Sequence, residues 1–245
     1  MTSPPRNAAA LVIGNELLSG KIVDANIPYL ARELRELGVA LERVLIVPDD
    51  VDVIARDVRA LSEAHDVVFT TGGVGPTHDD VTIEAIAKAF GRAVVRAPEF
   101  ETLLRELYGS RLTDAHLRMA DVPEGSELVS NEQVRWPTIR IENVYVFPGI
   151  PEIFRAKFPV LRDRFRQDPW HLRMVFTKLD EGFLKGPLDR IVAQFPTVQV
   201  GSYPRLSDPE YYVKITLEAK DRVAVDDATE ALVASLPPEA NVRVA

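Results

Sequence analysis

Three short apolar runs, each closed by a turn containing glycine, constrain this chain more than any other feature. Ala8 to Ile13 is apolar throughout and stops at Gly14; Val67 to Thr71 leads into "GGVG"; Val144 to Phe147 leads into "PGIPE". A run without polar alternation suits a strand buried on both faces, which requires packing layers on both sides of its sheet. Between the runs the spacing becomes helical. Pro28 occupies a first turn, and Tyr29, Leu30, Leu34 and Leu37 then recur until Gly38 stops the pattern. A strand at Arg43–Val47 and helices at Val51–Ala64 and Thr82–Phe90 continue the alternation. Strands alternating with helices of this length predict right-handed βαβ units around a parallel sheet, an α/β fold in three layers.

The middle of the chain is less regular. Helical character runs from Pro98 to about Met119, and "VPEGS" turns into "LVSNEQVRWPTIRI", which reads as a hairpin suited to a lid. After the strand Val144–Phe147 a helix begins near Glu152, and "RQDPWH" marks a boundary. Beyond it come strand Leu172–Leu179, helix Phe183–Phe195, strands Val198–Tyr203 and Tyr211–Ala219, helix Val225–Leu236 and strand Asn241–Val244. This βαββαβ order predicts a small α+β domain. The division expected is residues 1–168 and 169–245.

Composition removes several chemistries. The chain has no cysteine, so disulfides, thiolate zinc sites, iron–sulfur clusters and cysteine nucleophiles are excluded together. A formal charge of −8 argues against a broad grip on nucleic acid or an anionic membrane. "AAALVIG" is too short to span a bilayer and no cleavage site follows it, so a cytoplasmic location is expected.

In open parallel sheets ligands bind where loops leave the carboxyl ends of strands, so "GNELLSG", "TGGVGPTHDD" and "PGIPE" are expected to converge. Gly72, Gly73 and Gly75 let the backbone adopt positive φ and bring its N–H groups to a phosphate, with Thr77 beside them. The helix that follows adds partial positive charge. Asp79 and Asp80 would repel that phosphate, and a divalent cation resolves the conflict, because Mg2+ is held by one or two carboxylates plus phosphate oxygens and water. Each acid can instead cap the helix. Glu16, Asp24 and Asn26 flank the first turn, where Asp24 and Asn26 serve equally as caps or as site residues. Lys21 is the natural counter-charge for a phosphate, or an exposed lysine. Gly149 and Pro151 shape the opposite wall. The aromatic residues Tyr203, Tyr211 and Tyr212 offer a surface for a base, or core packing at strand spacing.

Together, "GNELLSGKIVDANIPYLARELRELG", "TGGVGPTHDDVT" and "VYVFPGIPEIF" resemble the MoaB/Mog-type molybdopterin-binding domain, in the branch of CinA-type competence/damage-inducible proteins and the N-terminus of eukaryotic FAD synthases. The resemblance covers about Ala8 to Phe165, and "VGSYPRLSDPEYYVKITL" extends it into the small domain. In the CinA-like branch it implies metal-dependent hydrolysis of nucleotide pyrophosphates such as ADP-ribose or FAD, with Mg2+, Mn2+ or Co2+ and with K+. Asp80, Asp79 and Asp24 would be metal ligands and Glu16 a ligand or base. In the Mog-like branch it implies binding of molybdopterin, with Asp80 and Asp24 matching the family's acids.

Asp79 replaces a basic residue common in the Mog branch, which favours the metal-dependent hydrolase. A regulatory protein that binds a nucleotide without turnover is the third alternative. The chain stops at Ala245, so neither the amidohydrolase of full-length CinA-type proteins nor adenylyl transfer is expected. "NEQVRWPTIRI" lacks the glycine-rich stretch usual in bacterial relatives. Relatives associate, which implies a homo-oligomer, with a nucleotide or pterin as small-molecule partner.

Overall fold

The computed structural model describes residues 6–205, 210–237 and 240–245, in two compact units, 1–167 and 168–245. In the first unit β1 (Asn7–Ile13), β2 (Ala40–Val47), β3 (Val67–Thr71) and β8 (Val144–Phe147) form the parallel heart of a six-stranded sheet. Its order is β2-β1-β3-β8-β7-β6, where β6 (Glu127–Val129) and β7 (Thr138–Ile141) are antiparallel additions. The sheet is therefore mixed. Only Glu142 and Asn143 separate β7 from β8, and so short a link permits a hairpin but no parallel crossover. Glu142 takes a φ of 49° to make the turn.

Both faces of the central strands are buried, and residue parity decides which helices each side chain meets. Ala9, Leu11, Ile13, Val68, Val144 and Val146 join one apolar cluster with residues of α3 (Val51–Ala64), α4 (Thr82–Ala89) and α5 (Pro98–Tyr108). Ala8, Ala10, Val67, Phe69, Tyr145 and Phe147 join the other, with residues of α2 (Asn26–Glu36) and α7 (Pro151–Leu161). This period-2 partition explains the absence of polar alternation in the apolar runs, since neither face meets water. On the second face Phe69 packs edge-on against Phe165 at 5.2 Å, and Phe147 lies 4.5 Å from Phe154.

Sequence periodicity does not register three smaller elements. α1 (Asn15–Leu18) is a single turn inside the first motif. β4 (Val94–Arg96) and β5 (Asp121–Pro123) form a two-stranded antiparallel sheet that brackets α5 and α6 (Asp114–Arg118). Strands of three residues leave too little pattern to detect.

In the second unit, β9 (His171–Thr177), α8 (Glu181–Gln194), β10 (Gln199–Pro204), β11 (Val213–Ala219), α9 (Arg222–Ser235) and β12 (Asn241–Val244) follow the βαββαβ order. The antiparallel sheet runs β10-β11-β9-β12. Val175, Ile215 and Leu217 pack against Leu184, Ile191, Val225 and Leu232 from the helices. Tyr211 is buried, 4.8 Å from Phe176, whereas Tyr203 and Tyr212 are exposed. No described helix is long and apolar enough to cross a membrane.

Candidate ligand cavity

Because the four parallel strands end on the same side, the turns that follow β1, β3 and β8 meet there. Asn26 ties them together. Its Nδ2 donates to Thr71 Oγ1 and to the carbonyl of Gly149, both at 2.9 Å, and Thr71 Oγ1 donates to the carbonyl of Pro148 at 3.0 Å. One buried amide thus joins the first turn, the end of β3 and the third turn, while its Oδ1 has no hydrogen-bond partner among the described residues. Asn26, which the sequence offers as a helix cap or a site residue, braces the walls of the cavity through these bonds.

The glycine turn is built against the end of β1. Gly72 has a φ of 106°, and a Cβ there would stand 2.1 Å from the carbonyl oxygen of Ile13. Gly73, with a φ of 63°, leaves room for Thr82, whose hydroxyl donates to the Gly72 carbonyl at 2.8 Å. The N–H groups expected to meet phosphate divide into two sets. Gly72 N–H already donates to the carbonyl of Phe147 at 3.2 Å, and Thr77 N–H to Asp80 Oδ2 at 2.8 Å. Those of Gly73, Val74 and Gly75 donate to no acceptor among the described residues.

The acids also separate by role. Asp24 caps α2: its oxygens accept from the N–H groups of Ile27 at 2.8 Å and Asn26 at 3.3 Å. Asp79 and Asp80 share Thr77, whose hydroxyl lies 2.6 Å from an oxygen of each. A hydroxyl has one proton, so it serves one carboxylate fully at a time. The bond from Thr77 is the main cause that holds the Asp79 carboxyl below its usual range. Among the described residues, no three His, Asp or Glu side chains gather as a metal cluster.

The turns enclose a cavity of about 930 Å3. Glu16, Asp24, Asn26, Gly72, Gly73, Gly75, Asp80, Gly149 and Pro151 all line it. Asp79, Thr77 and Lys21 are exposed and lie outside the lining. Sequence reading missed the far wall: Phe100, Tyr108 and Trp136 supply aromatic surface, and Lys157 supplies a cation.

Lys157 is only 3% exposed, and its Nζ donates to the carbonyl of Pro137 at 2.5 Å. Burial pushes its ammonium down to about 7. A signal for it was present in sequence, because Lys157 interrupts the apolar stripe Ile153, Phe154, Phe158 and Leu161 of one helix.

Both units of the chain are similar to known proteins. Residues 9–166 match the family described as "Probable molybdopterin binding domain", and residues 169–245 match "FAD synthase, middle domain". A protein of Archaeoglobus fulgidus is 37% identical over 218 residues, which cover 89% of this chain and 93% of that one. A "Probable FAD synthase" of Caenorhabditis elegans is 34% identical across 94% of this chain, and a "CinA-like protein" of Frankia casuarinae 33% across 89%. The chain spans about half the length of these last two, 49% and 55%. The crystal structure of the protein CinA from Thermoplasma acidophilum superposes with a TM-score of 0.60 at 29% identity, covering 66% of this chain and 99% of that one.

Proposed function

Because the chain belongs to the family of probable molybdopterin binding domains, we propose that its cavity binds a phosphate-bearing heterocycle, a pterin or a nucleotide. The observation that carries this reading is the meeting of three turns on one cavity of about 930 Å3, a volume that accommodates such a ligand. The N–H groups of Gly73, Val74 and Gly75, which have no acceptor among the described residues, supply donors for phosphate oxygens. The aromatic side chains of Phe100, Tyr108 and Trp136 supply surface for a ring. Asn26 holds the turns in place before the ligand arrives, so the donors need little reorganisation.

The test is thermal unfolding of the purified protein with and without ADP-ribose and FAD, together with fluorescence of any pterin that co-purifies, after oxidation. A ligand at a hundred times its Kd stabilises by about 2.7 kcal/mol, which raises Tm measurably. No shift with either nucleotide and no pterin fluorescence would reject the reading.

One observation favours a second reading, metal-dependent hydrolysis of a nucleotide diphosphate. Asp80 lines the cavity next to the free glycine N–H groups, with Asp79 joined to it through Thr77. One or two carboxylates suffice for a divalent cation that also takes phosphate oxygens and water, so Asp80 and Asp79 fit that group. Asp24, committed to its helix cap, fits it less well.

When bound, such a cation would offset diphosphate charge and lower the pKa of a water. The chain's own part is to hold the diphosphate at Gly73–Gly75 and to offer the half-buried Glu16 as proton acceptor. A mass-spectrometric assay with ADP-ribose, FAD and NAD should release AMP and the complementary monophosphate, and chelator should stop it. Asp80→Asn should abolish that turnover with circular dichroism unchanged; turnover that survives in this variant removes Asp80 from the role.

A further inference from the structure

The side chains lining the cavity include five acids, Glu16, Asp24, Asp80, Glu84 and Asp121, against two cations, Arg118 and Lys157. Arg118 is exposed, so Lys157 is the buried cation of that wall. An ammonium has three donors, and this one spends a single hydrogen bond on the carbonyl of Pro137. Among the described residues no carboxylate pairs with it, although a lysine this buried ordinarily has such a partner.

We propose that Lys157 is the anion anchor of the cavity, and that its ammonium group receives an oxyanion of the bound ligand, a phosphate or phosphodiester oxygen. This rests on the reading of the cavity as a site for a phosphate-bearing heterocycle, and it names the charge that the glycine turn lacks. The turn end carries Asp80, Glu16 and Asp24, and Lys21 lies outside it, so its N–H groups alone face an anion under an unfavourable local field. Lys157 offsets that field from within the wall, where low dielectric strengthens the attraction. Its desolvated state is consistent with this role, since an incoming oxyanion supplies the partner that the fold withholds.

The absence of native cysteine permits a direct test. Lys157→Cys, alkylated with bromoethylamine in denaturant and refolded, regains an ammonium at nearly the original reach, and mass spectrometry verifies the single addition. Lys157→Met fills the same volume without charge. Binding of ADP-ribose and of inorganic pyrophosphate is measured by calorimetry for the wild type, the two variants and the alkylated form, with circular dichroism and Tm as folding controls.

We expect both neutral variants to lose at least tenfold in affinity and the alkylated form to recover to within threefold of the wild type. A smaller loss in a folded Lys157→Met protein, or an alkylated form no better than its cysteine parent, overturns the assignment of Lys157 while leaving the cavity reading intact. Wild-type protein that binds neither probe overturns the assignment of Lys157 as an anchor for these phosphate oxyanions, while the cavity reading itself falls only if FAD also gives no Tm shift and no pterin co-purifies.

Discussion

Lys157 and Asn26 illustrate how a single buried polar side chain couples stability to the cavity. Lys157 titrates near 7 when folded, against about 10.4 in an unfolded chain, so between those values the unfolded state holds more protons. Stability must then rise with pH across that window, by at most about 1.4 kcal/mol per pH unit from this group. Urea titrations at pH 7 and pH 9 should show that gain in the wild type and lack it in Lys157→Met; equal slopes would contradict a buried, shifted lysine.

Asn26→Asp keeps the shape but turns a donor into a carboxylate facing the Gly149 carbonyl. We expect a loss of roughly 2–3 kcal/mol at pH 7, from the unpaired buried groups. Gly72→Ala should cost at least about 2 kcal/mol, because the new methyl meets the Ile13 carbonyl at a strained φ. Chemical denaturation reads both.

Among the elements, α2 and the β6–β7 hairpin depend on charged groups in opposite settings. Asp24 ends the loop that enters α2, and Asp24→Ala removes the cap for about 1 kcal/mol, while Asp24→Asn retains most of it. A metal ligand would not tolerate the asparagine so well, so comparing the two variants in Tm and in metal-dependent turnover separates the roles.

On β6, Glu127 accepts from Arg164 at 2.8 Å and from Arg140 on β7 at 2.9 Å, and these guanidinium groups hold its carboxyl down to about 2. A depressed carboxylate contributes stability above its unfolded pKa, near 4.3, and loses it as pH falls toward 2. The pair is 43% and about 40% exposed, so screening limits the contribution to well under the value its shift implies, within about 1 kcal/mol. Glu127→Gln should flatten the acid limb of a Tm–pH profile by that small amount and leave Tm at pH 8 within a few degrees.

For the molecule as a whole, every residue lining the cavity lies in the first unit, and the second has its own apolar core. A protein cut after Gln167 should therefore fold and keep whatever Tm shift ADP-ribose or FAD produces in the full chain. Loss of the shift in a folded fragment would assign the second unit a part in binding.

The α/β order and most of the site could be read in the chain because their causes are local. Uninterrupted apolar runs such as Ala8–Ile13 require burial on both faces, helical spacing ends at Gly38, and a glycine-bearing turn follows each run. Residue identity alone thereby placed Glu16, Asp24, Asn26, Gly72, Gly73, Gly75, Asp80, Gly149 and Pro151 near one another, and the cavity includes them all. The rest depends on which groups meet at long separation. Only folding brings Asn26 to Gly149, 123 residues away, and sends Lys157 back to Pro137. Only folding decides that the Gly72 N–H is taken by Phe147 while those of Gly73 and Gly75 meet no acceptor among the described residues. Sequence determines where donors, acids and apolar faces lie along the chain; tertiary structure determines which are left without a partner, because hydrogen-bond satisfaction and desolvation depend on neighbours in space.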